Sequence, residues 1–376
     1  MNPTNPHRGA PAGAAPASAR AHDSAPSEPA QASSDSARPA SRLGAPSGTI
    51  AGGGRALAQP APRRAPDPIH PADLQQAAYI VARQALGRPL TAESKNLLWT
   101  TNETLKETQA MLFHGRGNIE TDVRDSGGES SHWMIASRKM KDGMNDEESI
   151  PSELNDLNKA AIASLAGAGN CREFTEVAKH LHSRHLGEGD RIMSESIDGL
   201  DHQWARVECA TPVGGAPGSG PAAILDPWAD GPVVEPIDSR HASGATLYWD
   251  RIDGNKGQAT YDRFESTRGR FDDETAEMSA LADGQRDVQG AEPITGGMMD
   301  PIPVVSEAFA LQARNAIDQG SPTTLHASAV RALLDSRTPP PREQAEADAA
   351  RVVGLARELD VPFPWPRNAF RPINED

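Results

Sequence analysis

The sequence predicts an α+β fold in which a small antiparallel sheet lies among many helices. Three observations lead there. Apolar residues recur at spacings of three and four in segments near both ends of the region after residue 70 and before its middle. The period drops to two over His202–Cys209, and a short apolar run follows at Ala222–Leu225. Residues 1–70 show neither period. They are mostly Ala, Pro, Ser, Gly and Arg, with no aromatic residue before Tyr79 and no lysine before Lys95. Such a stretch buries too little apolar surface to offset its ordering entropy, so it is expected to be a disordered segment ahead of a folded domain over 71–376.

Taken in order, Pro71 and Asp73 open a helix with Leu74, Ala77, Ala78, Val81 and Ala85 on one side, ending at Gly87. A second starts near Thr91 and continues through Leu97 and Leu98 towards Leu105 and Leu112. Gly115–Gly128 is polar and glycine-rich and reads as a loop. Over 151–165, Pro151 precedes Leu154, Leu157, Ala161 and Leu165, a helix that the Gly167–Asn170 turn stops. The next begins at Cys171 with a stripe of Cys171, Phe174, Val177, Ala178 and Leu181. A strand follows, in which Ala205, Val207 and Cys209 alternate with His202, Trp204, Arg206 and Glu208, placing Cys209 in the core. Thr211–Pro221 is a loop, and the next strand ends where Pro227 follows Asp226. Gly244–Tyr261 reads as a hairpin about Asp253-Gly254-Asn255. Residues 262–300 look like a polar, mobile excursion. Helices return at Ser306–Gln319, Thr324–Asp335 and Arg342–Asp360, and the prolines at 362, 364 and 366 forbid regular structure after them.

Composition removes several functions. Of 376 residues, 37 are Lys or Arg and 52 Asp or Glu, a net charge of −15, which argues against binding nucleic acid by phosphate neutralisation. Residues 1–70 hold seven arginines against four acids, so the acidity lies downstream. Two cysteines cannot build a disulfide framework or an all-thiolate zinc site. No run approaches the roughly 20 apolar residues of a membrane-spanning helix, and no membrane anchor is expected. The first residues lack the apolar segment of a secretory signal, and Asn2 stands where N-myristoylation needs glycine. Gly52-Gly53-Gly54-Arg55 lacks the Lys-Ser/Thr of a phosphate loop. His180, His182 and His185 crowd one helix end without an acidic or thiolate cluster. They read as charges complementing the helix dipole rather than metal ligands, and no metal or cofactor is expected.

One constellation carries chemistry. A cysteine opening a helix after a Gly-Asn turn meets the helix dipole and free N–H groups, which favour the thiolate and could receive an oxyanion. If the strands bearing His202 and Asp226 pair antiparallel, those two side chains lie side by side facing that helix start. His202 would then take the thiol proton and Asp226 would hold the tautomer of His202. Asn170, Trp204 and Trp228 adjoin the three and are candidates for oxyanion or substrate contact. Core packing is the other reading of the tryptophans.

GNCREF, DHQWARVE and LDPWADGP, with Cys171, His202 and Asp226 in that order, resemble the transglutaminase-like cysteine enzyme core. With the N-terminal segment, the chain resembles the HopX/AvrPphE (XopE) family of type III effectors from plant-pathogenic bacteria. The motifs cover about residues 150–250; the broader likeness runs from about residue 72 to the end. The resemblance implies a papain/transglutaminase-like core, a nucleophile-bearing helix packed on a small antiparallel sheet with further helices. It implies Cys171, His202 and Asp226 as a catalytic triad, and a cysteine protease, glutamine deamidase or transamidase as the activity. It further implies secretion through the type III system into the host plant cell, in the cytoplasm or nucleus, and interference with immune signalling. Host proteins would be the substrates, and a secretion chaperone would bind residues 1–70. A non-catalytic module that sequesters a host protein is the alternative from another class. Relative to the family, the chain carries a Gly/Pro insertion at residues 211–221, and it lacks the N-terminal acylation glycine that some relatives carry.

Overall fold

The computed structural model describes residues 68–145, 152–197, 200–210, 220–242, 244, 246–289 and 298–362. The tail reading for 1–70, the Gly52–Arg55 segment, most of the 211–221 insertion and the proline-rich end therefore lie outside the described residues, apart from Pro68–His70, Gly220, Pro221 and Pro362.

The chain is mixed α and β, as its two periods require. Helix α1 (Pro71–Ala85) starts on prolyl geometry, and His70 Nδ1 accepts the Ala72 amide at 3.1 Å. Helix α2 (Ala92–Met111) is capped by Thr91, whose hydroxyl accepts the Ser94 amide. The expected loop at 115–128 instead holds strand β1 (Gly115–Arg116) and helix α3 (Glu120–Asp125), and helix α4 (Glu129–Asn145) follows. Helix α5 (Ser152–Ala166) ends where Gly167 takes φ +64°, a left-handed conformation that suits glycine. Two residues of β2 (Ala168–Gly169) pair in parallel with β1 and deliver the chain to α6 (Cys171–Ser183).

The main sheet has four antiparallel strands in the order β5-β4-β3-β6. They are β3 (Arg191–Ile197), β4 (Gln203–Glu208), β5 (Ala222–Leu225) and β6 (Thr246–Asp253). The sequence reading misses β3, although it lies between β4 and β6. Its buried Ser194 and Glu195 break the apolar signature; Ser194 Oγ donates to Glu176 Oε1 and Glu195 Oε2 accepts the Trp204 indole N–H. Residues 244–261 are not a hairpin. Strand β6 pairs with β3, and Gly254 turns the chain into helix α7 (Gly257–Phe271). A Cβ on Gly254 would lie 1.7 Å from the Gly187 carbonyl oxygen, so close approach, not hairpin geometry, accounts for this glycine.

The expected excursion after residue 262 is helical as well, through α7 and α8 (Thr275–Gln289). Phe264, Phe271 and Met278 fall seven apart and are buried with Ala282. Helices α9 (Glu307–Gln319), α10 (Pro322–Leu334) and α11 (Arg342–Arg357) close the fold against α1, close to their expected bounds.

Helix α6 stands between two buried apolar clusters. Its Ala178 joins the one formed by α1, α9–α11 and the sheet, while Cys171, Phe174, Val177 and Leu181 join that of α4, α5, α7 and α8. Among the described residues no helix is long and apolar enough to cross a membrane.

Candidate active site

Cys171 is the first residue of α6. Asn170, in extended geometry, accepts the Arg172 amide at 3.2 Å, and Glu173 Oε2 reaches back to the Asn170 amide at 3.0 Å. This capping box fixes the helix start. It also takes up the Arg172 N–H, one of the helix-start amides, and gives the Asn170 side chain a capping role. Thr175 then ties the helix to the sheet, its hydroxyl lying 2.7 Å from the Cys171 carbonyl and 2.9 Å from that of Gln203.

Residue 203 opens β4, so that contact sets His202 against the cysteine end of α6. Strand β5 pairs with β4 with Ala205 opposite Leu225, which brings Asp226 to the same end of the sheet. His202 Nε2 lies 2.6 Å from Asp226 Oδ2, with both side chains almost wholly buried. Burial alone would push the imidazolium down; the adjoining Asp226 carboxylate, with a smaller contribution from Cys171, instead lifts the His202 pKa to about 10. Asp226 responds in the opposite sense. Burial favours its neutral acid, but the His202 partner holds it below the usual carboxylate range, and Oδ1 also accepts the Ala229 amide at 3.0 Å. The second ring nitrogen of His202, Nδ1, is buried and has no regular hydrogen bond. Cys171 and His202 line the same cleft of about 500 Å³, together with Asn170, Gln203, Ser196 and Arg138.

Neither Trp204 nor Trp228 lines that cleft, which corrects the expectation of substrate contact. They are 0% and 1% exposed, with ring centroids 5.8 and 4.9 Å from the His202 ring. Both are packing residues of the histidine's surroundings. Trp204 Nε1 donates to Glu195 Oε2 and Trp228 Nε1 to Asn118 Oδ1, each at 3.0 Å.

The segment that carries Asp226 is held from β1. The buried Arg116 guanidinium donates to the Trp228 carbonyl and Asp230 Oδ1, both at 2.7 Å, and to Asp122 from Nε and Nη2. Its opposite-charge partners raise its pKa despite the burial that works against the cation. Neither Arg116 nor Asn118 carries a pattern in sequence; both depend on a segment that reads as a loop.

His241 was missed in the same way. It sits in the turn after residue 239, buried, with Nε2 3.3 Å from Asp226 Oδ2 and its ring flat on Trp204, centroids 3.9 Å apart at 9°. Burial lowers its pKa against the pull of Asp226.

Other candidates resolve differently from expectation. His180 and His182 are not exposed dipole charges. His180 Nδ1 bonds the Glu176 carbonyl at 2.7 Å, His182 Nδ1 bonds Thr104 Oγ1 at 2.9 Å, and burial drives the His182 pKa down to about 3. Cys209 is half-buried at the end of β4 rather than in the core, and burial with nearby Asp190 pushes its thiol up to about 11. Two donor groups among the described residues have spacing that invites a cation. In the first, His202 and Asp226 at 2.6 Å are closer than the roughly 3.3 Å between donors on a tetrahedral zinc with bonds near 2 Å, and so form a hydrogen bond. In the second, Asp156 with Glu176 and Asp250, the buried Lys179 ammonium already sits 2.6 Å from Glu176 and 2.7 Å from Asp250.

Fold and site together define an α+β protein with a cysteine opening a helix beside a buried His–Asp pair. No protein-family model and no curated protein matches this chain.

Proposed function

We propose that the protein is a thiol enzyme of acyl chemistry, with Cys171 as nucleophile, His202 as proton shuttle and Asp226 as its orienting carboxylate. The observation that carries this reading is the 2.6 Å His202–Asp226 contact, buried at the wall of the cleft that holds Cys171. With Nε2–H given to Asp226, Nδ1 is the nitrogen left to face Cys171, and with its pKa lifted to about 10 His202 holds a proton there at neutral pH. Sγ attacks an amide carbonyl with that proton already held by His202. His202 returns it to the leaving amine as the C–N bond breaks, leaving a thioester. Attack by water then releases the acid, and attack by an amine gives a new amide. Peptide hydrolysis, glutamine deamidation and transamidation share this path, and we favour protease. A nucleophile-bearing helix packed on an antiparallel sheet supports the papain/transglutaminase-like reading of the core.

The setting we propose is the one the motifs suggest, a type III effector acting on host plant proteins in immune signalling. The test is a proteome comparison of host tissue expressing the wild-type chain or Cys171→Ala. New termini, deamidated glutamines or isopeptides should occur only with the wild type. Identical proteomes, together with unchanged host responses to a folded Cys171→Ala protein, would reject catalysis and leave the sequestering module. Fusion of residues 1–70 to a reporter tests type III export separately.

A further inference from the structure

Asp226 serves two histidines. The same oxygen, Oδ2, meets His202 Nε2 at 2.6 Å and His241 Nε2 at 3.3 Å, while Oδ1 accepts the Ala229 amide at 3.0 Å. An ionised carboxylate oxygen has two lone pairs, so both rings can donate to it at once. His241 is itself held rigidly. Its amide donates to Ser239 Oγ at 3.0 Å, and its ring lies on Trp204, which Glu195 fixes in turn. A ring that only filled space would not need a nitrogen aimed at the one carboxylate that orients His202.

We propose that His241 is a positioning residue for the thiol site, holding the Asp226 carboxylate in the plane that His202 requires by donating Nε2–H to Oδ2. The inference rests on the thiol-enzyme reading and adds a fourth member to it. His241 acts through Asp226, and its removal leaves the carboxylate plane set only by His202 and the Ala229 amide. His202 then loses its fixed orientation towards Cys171.

The test needs no substrate. The rate of Cys171 alkylation by iodoacetamide at pH 7 is measured on the full chain, with circular dichroism to confirm folding. His241→Phe keeps an aromatic ring against Trp204 but has no N–H. It should slow alkylation about tenfold, the lower end of what loss of an orienting partner costs an active centre. His241→Gln, whose amide nitrogen falls near the Nε2 position, should restore most of the rate. On an Asp226→Asn background, His241→Phe should add nothing, because a residue acting only through Asp226 has nothing left to position. Should His241→Phe not fold, His241→Asn replaces it, since its shorter amide falls short of Asp226. A wild-type rate in His241→Phe or His241→Asn, or a loss that adds in full to that of Asp226→Asn, overturns the inference. Indifference of the rate to both Asp226 and His202 rejects the thiol reading itself, a distinguishable outcome.

Discussion

Cys171 and Cys209 are the chain's two thiols, and their surroundings separate them. With its pKa near 11, Cys209 presents roughly 10⁻⁴ of its thiol as thiolate at pH 7. Cys171 opens a helix beside His202, so iodoacetamide should label it first, and His202→Ala should slow that labelling; mass spectrometry of the two tryptic peptides reads both. Equal labelling of the thiols contradicts the assignment. Asp226→Asn keeps the shape of the pair but removes the charge that supports the imidazolium, and should lower turnover. The serine-protease analogue loses about 10⁴, and the loss here should be smaller than that of Cys171→Ala. Full turnover in a folded Asp226→Asn protein would reduce the site to a dyad. Histidine burial also predicts a pH response. His182 has a folded pKa near 3 against 6.5 unfolded, so between these values the unfolded chain binds more protons. Its contribution is complete above pH 6.5 and is lost as the pH falls towards 3, at about 1.4 kcal/mol per unit. His202, raised to about 10, runs the other way, contributing fully below pH 6.5 and losing that contribution as the pH climbs to 10. Urea midpoints should therefore fall from pH 6.5 to 4, and His182→Gln should flatten that slope; an unchanged slope excludes His182 as its source.

At the scale of elements, α6 is bonded to the sheet as much as packed on it. The buried Lys179 joins Glu176, Ser194 of β3 and Asp250 of β6, and Glu176 also accepts from Ser194 and Gln203. Those two carboxylates keep Lys179 charged, raising its pKa although burial opposes the cation. Lys179→Met leaves Glu176 without its cation in the interior and should cost about 3–5 kcal/mol, the range for breaking a buried ion pair. Adding Glu176→Gln should recover part of that loss, since the stranded charge goes with it. Urea unfolding checks both, and a loss under 1 kcal/mol in the single variant would show that the pair is solvated. This network also explains what the sequence conceals in β3. Ser194 and Glu195 look like surface residues because their partners lie on other elements. In α7 and α8 the signal is present but thin, with the buried Phe264, Phe271 and Met278 falling seven apart among polar neighbours.

Across the whole molecule, α1 joins the chain's beginning to segments far along it. Gln76 bonds the Val233 backbone in both directions, at 3.1 and 3.0 Å, and Tyr79 donates to Asp238 at 2.7 Å. Gln76→Ala strands a buried carbonyl and a buried amide together, and each orphaned group costs about 1–3 kcal/mol. A loss of about 3 kcal/mol in urea unfolding is expected, with no change in the alkylation rate of Cys171 in the folded protein. A neutral Gln76→Ala would mean that water replaces the side chain at Val233.

By itself the sequence determined where most long helices run, because apolar spacing is local and the caps at Thr91, Asn170 and Ser306 are written beside it. It also placed Cys171 at a helix start and His202 and Asp226 beside strand ends, since periodicity and a proline locate those points. What only the tertiary structure decided are the groups defined by distant partners. These are β3 in the sheet, Arg116 clamping the Asp226 segment, the tryptophans turned to the core and His241 on the shared carboxylate. The physical reason is that a polar side chain carries no inward signal of its own. It becomes an interior residue only when the fold brings it a hydrogen-bond partner to replace water, and here such partners lie far along the chain, as Asp230 does, 114 residues from Arg116.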